Sequence, residues 1–170
     1  MLIREKTESD TDSCVALLLA VHRVDGYPRF LPAKVLDFIS PGYESSSWVA
    51  EKDGEVVGHV ALHVAAVDPT LLAAQRATGL PPEGLAVLAR LLVAPNARRA
   101  GLGRELLDLA TSHARSRGQR AVLDVVQSAH APIALYEAAG WTRIEPLRLK
   151  VSEMTALDLW VYLSPDMDAG

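Results

Sequence analysis

The stretch from Leu85 to Gly103 constrains this chain more than any other part of it. Residues Leu85–Val93 read LAVLARLLV, almost continuously apolar, and Pro95 closes the run early. Periodicity alone does not separate a buried strand from a buried helix, but so short a run suits a central strand covered on both faces. A brief turn follows, and Gly101 and Gly103 then lead directly into an amphipathic pattern. That pattern predicts a helix over 101–117, with Leu102, Leu106, Leu109, Ala110 and His113 on one face. Arg104, Glu105, Asp108 and Arg115 lie away from that face, and Gly118 is the natural stop.

The remaining segments alternate in the same way. Leu2–Lys6 reads as a first strand. Ser9 stands three residues before Asp12, a variant of the capping box, and opens a helix through Val15, Leu18, Leu19 and His22. Asp25-Gly26 and Pro28 end it, and Tyr27–Pro32 is irregular because two prolines do not fit regular interior structure. Ser47–Glu51 and Glu55–Val64 form a hairpin across Lys52-Asp53-Gly54. A short helix over Leu71–Thr78 is broken by Gly79, Pro81 and Pro82. Ala121–Val126 is a buried strand, Pro132 and Gly140 bracket a helix, Trp141–Ile144 begins another strand, and Leu157–Leu163 is the last. In that last strand Leu157, Leu159, Val161 and Leu163 alternate with Asp158, Trp160 and Tyr162, the pattern of one buried face. Strands interleaved with helices imply an α/β (α+β) three-layer domain. The 170 residues suit a single domain, 1–170, with no repeat or linker to divide it.

Physically, the turn before Leu102 is an anion site. The first N–H groups of a helix have no intrahelical acceptor, and the macrodipole places partial positive charge there. Glycines at 101 and 103 remove Cβ atoms from the approach, and Arg98, Arg99 and Arg104 add full charges. Two phosphate motifs are excluded: Leu106 stands where a dinucleotide fingerprint needs its third glycine, and Gly103 is followed by Arg104-Glu105 rather than by the Lys-Ser/Thr of a P-loop.

Composition narrows the partners. Lys and Arg number 17 against 21 Asp and Glu, a net charge of −4, which argues against a protein that works by neutralising nucleic-acid phosphates. Cys14 is the sole cysteine, so an intramolecular disulfide and a thiolate zinc cluster are ruled out, and its apolar helical setting reads as packing. His59 and His63 share a strand face without a visible third ligand, so no metal is expected. His59 reads as a half-buried strand position. The start, MLIREKTESD, carries charges at Arg4, Glu5 and Lys6 with no apolar core after them, and no apolar run nears the roughly 20 residues of a membrane span. The expected setting is cytoplasmic, with neither membrane nor nucleic acid as a partner.

Arg98-Arg99-Ala100-Gly101-Leu102-Gly103 resembles the Arg/Gln-x-x-Gly-x-Gly/Ala pyrophosphate signature of the GNAT superfamily of acyl-CoA-dependent N-acetyltransferases, and Leu91–Pro95 resembles the strand that leads into it. A second match, Pro132–Trp141 (PIALYEAAGW), is similar to the family's A-I-x-L-Y-x-x-x-G-F segment. The resemblance implies a central mixed sheet of six to seven strands, splayed in the middle between Leu85–Val93 and Ala121–Val126 and flanked by helices on both faces. It implies acetyl-CoA as cosubstrate and no metal. Leu91, Leu92 and Val93 would line the pantetheine arm, through backbone groups of Leu91 and Val93, and Arg98, Arg99, Ala100, Gly101, Leu102, Gly103 and Arg104 would cradle the pyrophosphate. The oxyanion donor would be a backbone N–H near Val93, and Tyr136 matches the general acid that protonates the departing thiolate. Tyr27, Arg29 and Phe30 lie in the loop that commonly shapes the family's acceptor pocket.

Two departures stand out. Ala129 occupies a position where the family often carries Asn, leaving Gln127, Ser128 or His130 to replace that contact. Ala86–Arg90 offers no acidic base on the central strand. His63, His130, Glu83 or a bound water are the candidates for the base. The rival to an enzyme is a non-catalytic acyl-CoA-binding or regulatory module of the same fold. The acceptor, a small amine, an amino acid, an antibiotic or a protein N-terminus, stays open. A homodimer is the commonest assembly for a small enzyme, though no residue pattern specifies it.

Overall fold

The computed structural model describes residues 1–165. Its seven strands form one mixed sheet in the order β1-β2-β3-β4-β5-β7-β6, accompanied by five α-helices. Two compact units divide the chain, one of residues 1–63 and 89–110, the other from Val64 to Leu88 and from Thr111 onward. Strand β4 (Leu85–Val93) is divided between them, its first four residues in the second unit and the rest in the first.

The first unit holds β1 (Leu2–Glu5), α1 (Thr11–Asp25), α2 (Val35–Ile39), β2 (Glu44–Lys52), β3 (Glu55–His63), the later half of β4 and the start of α4 (Leu102–Ser116). The antiparallel ladder β1-β2-β3 follows the expected hairpin, which turns at Asp53-Gly54. The start of α1 differs from expectation. A 3-10 turn over Glu8–Asp10 precedes it, and the capping carboxylate is Asp10, which accepts the Thr7 N–H at 2.8 Å. Both Asp10 oxygens also accept from the Arg4 guanidinium at 2.8 Å. That ion pair, with the Thr7 N–H, holds the Asp10 carboxyl below its ordinary range. The short helix α2 is not foreseen, because five residues between a Pro-rich loop and Pro41 carry no helical period of their own. Gly58 explains how closely β3 approaches α4: a Cβ there would lie 2.9 Å from Leu106 Cδ1 and 3.2 Å from Leu102 Cδ2. Both leucines are almost fully buried, so neither can swing away cheaply.

The second unit contains α3 (Pro69–Thr78), the first half of β4, the end of α4, β5 (Arg120–Val126), α5 (His130–Ala138), β6 (Thr142–Ser152) and β7 (Thr155–Leu163). Asp68 caps α3 by accepting the Thr70 N–H at 2.8 Å, and Pro69 takes the first helical position, where no donor is needed. The parallel β4–β5 ladder covers three pairs, Leu85–Val87 against Arg120–Val122. Strand β6 is far longer than the segment Trp141–Ile144 indicates, and as the sheet's edge it tolerates Pro146. Tyr162 departs from the expected alternation: it is fully buried, because both faces of β7 are covered at that end.

Along α4 the buried residues are Leu102, Leu106, Leu107, Ala110 and Ala114, while Leu109 and His113 are half-buried. The apolar stripe is thus turned by one residue from the expected face. No helix among the described residues is long and apolar enough to cross a membrane.

Candidate active site

In the first unit β4 runs into the glycine turn. The Ala94 N–H donates to the Val57 carbonyl at 2.8 Å, which fixes the end of β4 beside β3, and a 3-10 turn over Pro95–Ala97 follows. The first bond of α4 is Glu105 N–H to Gly101 carbonyl at 3.1 Å. The N–H groups of Leu102, Gly103 and Arg104 therefore come ahead of any intrahelical acceptor, stacked at the positive end of the helix. Gly101 has φ +80°, and a Cβ placed on it would meet no atom within 4 Å. The space that a side chain at position 101 would occupy is therefore open.

The three arginines of the turn do not act alike. Arg98 donates to both carboxylate oxygens of Asp25, the last residue of α1, and to the Val93 carbonyl from Nε at 3.2 Å and Nη2 at 3.1 Å. Its side chain clamps the turn to α1 and to the end of β4 rather than standing free for a phosphate. Arg104 pairs with Asp108 one helical turn on, at 3.0 Å with both side chains exposed, an arrangement of little energetic weight. Arg99 is exposed, takes φ 68°, and makes no ion pair among the described residues.

Just upstream, Arg90 interrupts β4 with φ 55°. Its guanidinium lies over the Phe38 ring, Cζ 3.6 Å from the centroid, and Nε donates to the Phe38 carbonyl at 2.9 Å. The Arg90 side chain thus contacts a ring and a carbonyl rather than an acid. The Tyr27 ring stands 6.3 Å from that of Phe38, which brings one of the three expected acceptor-loop residues to this place. Arg29 and Phe30 are exposed on the same loop.

His59 is completely buried, not half-buried as the sequence suggests. Its Nδ1 lies 2.8 Å from the Arg90 carbonyl, which can only accept, so Nδ1 carries the proton and Nε2 accepts from the Lys6 ammonium at 3.0 Å. Lys6 spends its other protons on the Ile39 carbonyl at 3.1 Å and Glu44 at 3.0 Å. Burial, then the Lys6 charge, pushes the His59 imidazole down to about 3; burial, then Arg90, does the same for His63. Both rings stay neutral in the fold. Sequence reasoning misses this network because Lys6, Glu44 and His59 meet only through strand pairing.

A pH dependence follows. With folded values below the ordinary 6.5, the unfolded chain binds protons between about pH 6.5 and 3 that the folded chain refuses. Stability is complete above that window and is lost as pH falls through it. Asp10, depressed below its ordinary 3.8, contributes only at lower pH still. The expected result is a Tm lower by about 10 °C at pH 4.5 than at pH 7 in calorimetric scans. A level Tm over that interval would show the two imidazoles to be charged in the folded protein.

Residues 16–141 match the profile of the Acetyltransferase (GNAT) family. The chain belongs to that family. No curated protein matches the sequence. Among solved structures, the ribosomal-protein-S18-alanine N-acetyltransferase of Escherichia coli is 21% identical with a TM-score of 0.71, the alignment covering 99% of this chain and 96% of that one. The ribosomal-protein-alanine N-acetyltransferase of Brucella melitensis is 25% identical at 0.70, covering 96% and 99%. The yncA protein of Salmonella typhimurium, solved with acetyl-CoA, is 19% identical at 0.70, covering 98% of each. The seven-stranded mixed sheet is the GNAT fold.

In the second unit Tyr136, expected from the resemblance to be the general acid, sits on α5 and is 8% exposed. Its ring is tilted against Trp141 and Tyr162, at 6.1 and 6.2 Å between centroids, and its carbonyl accepts the Trp141 N–H at 3.0 Å. Gln127, one of the three residues expected near Ala129, donates from Nε2 to the Leu159 carbonyl at 3.2 Å. Ser128 and His130 are exposed at the head of α5. Glu83 is exposed on a 3-10 turn ahead of β4. His63, in the first unit, is buried with an Nε2 that has no hydrogen-bond partner, its ring edge-on to Tyr43 at 5.0 Å.

Proposed function

We propose that this protein transfers the acetyl group of acetyl-CoA to an amine by direct attack, with the amides of 99–104 cradling the pyrophosphate. The observation that carries this reading is the set of N–H groups ahead of the first α4 bond, open in front because position 101 has no side chain. Backbone groups of Leu91 and Val93 pair with the pantetheine arm in the manner of an added strand. A backbone N–H near Val93 faces the developing oxyanion. The amine nitrogen forms the new C–N bond as the C–S bond breaks. The amine's proton leaves through a base or a bound water, and the Tyr136 hydroxyl gives its proton to the thiolate. Arg99 supplies the positive charge of the turn, while Arg98 and Arg104 keep their protein partners.

The test is thiol release from acetyl-CoA across a panel of amines, beside calorimetric titration of acetyl-CoA alone. Micromolar binding with release on at least one amine is the expected result. A second reading, a non-catalytic acyl-CoA-binding module, draws on Ala129 and on the absence of an acid from Ala86 to Arg90. Tight binding with no release on any amine would favour it.

A further inference from the structure

We propose that Arg90 is an anion subsite for the acceptor, and that the acceptor is an amine carrying its own free carboxylate, such as an amino acid, rather than a protein N-terminus. This deepens the acetyl-transfer reading and rests on it. Arg90 immediately precedes Leu91–Val93, the segment assigned to the acyl-bearing arm, and it abuts Phe38, whose ring contacts Tyr27 of the acceptor loop.

The electrostatics of this cluster are unbalanced. Lys6 and Glu44 cancel each other in a nearly buried pair, 7% and 12% exposed. His59 and His63 are neutral. Arg90 is half-buried, and among the described residues its guanidinium has no ion pair and no hydrogen bond beyond the one from Nε. A single positive charge is left over, and both of its terminal nitrogens remain uncommitted. The planar fork of that guanidinium matches a carboxylate by two parallel hydrogen bonds. The Phe38 ring and carbonyl hold the fork in place, so little side-chain entropy remains to be lost on binding. A peptide N-terminus presents a neutral amide where an amino acid presents its carboxylate, and an amide leaves the excess charge unanswered.

Two readouts test this. In thiol-release assays, free amino acids are expected to show kcat/KM about 10- to 100-fold above that of their amides and of the amines that lack the carboxyl group. Arg90→Gln should remove that preference by raising KM for the acids, while leaving the amides and acetyl-CoA affinity within about twofold; Arg90→Lys, which keeps the charge and loses the fork, should fall between. Independently, calorimetry with CoA-loaded protein should show an N-acetyl amino acid binding more tightly than its N-acetyl amide, a difference lost in Arg90→Gln. Equal handling of acids and amides in both assays, or amides preferred, overturns the subsite. Acid-selective binding without thiol release on any amine supports the subsite and overturns acetyl transfer, so the two failures are distinct.

Discussion

Gly101→Asp is expected to weaken acetyl-CoA binding by about 100-fold or more in calorimetric titration. Two effects add. A side chain at φ +80° strains the turn by about 1 kcal/mol, and the new carboxylate adds negative charge at the head of α4. There it takes the positive end of the helix for itself and repels the diphosphate. Gly101→Ala carries the strain without the charge, so a loss of no more than about tenfold separates the two causes. The aspartate variant should still fold, because no atom lies within 4 Å of the added carbon. Unchanged affinity in Gly101→Asp would remove the cradle from the account of binding.

Tyr136→Phe is expected to lower kcat by about 100-fold or more while leaving acetyl-CoA affinity nearly unaltered, the mark of a group that acts when the thiolate departs. Phenylalanine keeps the ring packing against Trp141 and Tyr162, so lost activity would not reflect a lost fold. Wild-type turnover in the variant would take Tyr136 out of the mechanism.

Much of this architecture is legible in the chain because its signals are local. Pro95 ends β4 where the apolar run stops, Asp53-Gly54 turns the hairpin, and the glycines at 101 and 103 mark the head of α4. What is not legible is decided at a distance. Arg98 lies 73 residues from Asp25, so nothing in the turn itself reveals that its charge is already answered. His59 looks like an ordinary alternating strand residue until Lys6 and Arg90 are brought to its two nitrogens. The positive φ of Arg90 is hidden for the opposite reason: arginine in an apolar strand gives no hint of a left-handed backbone. Tyr162 fails as an alternation signal because covering depends on which elements close over the sheet's second face.

The clamp between Arg98 and Asp25 has a mechanical consequence. Asp25 is the final residue of α1, and the loop that begins at Gly26 reaches Tyr27 within one more peptide unit. The glycine turn and the loop through Tyr27 are thus joined at one ion pair, at the last residue of α1.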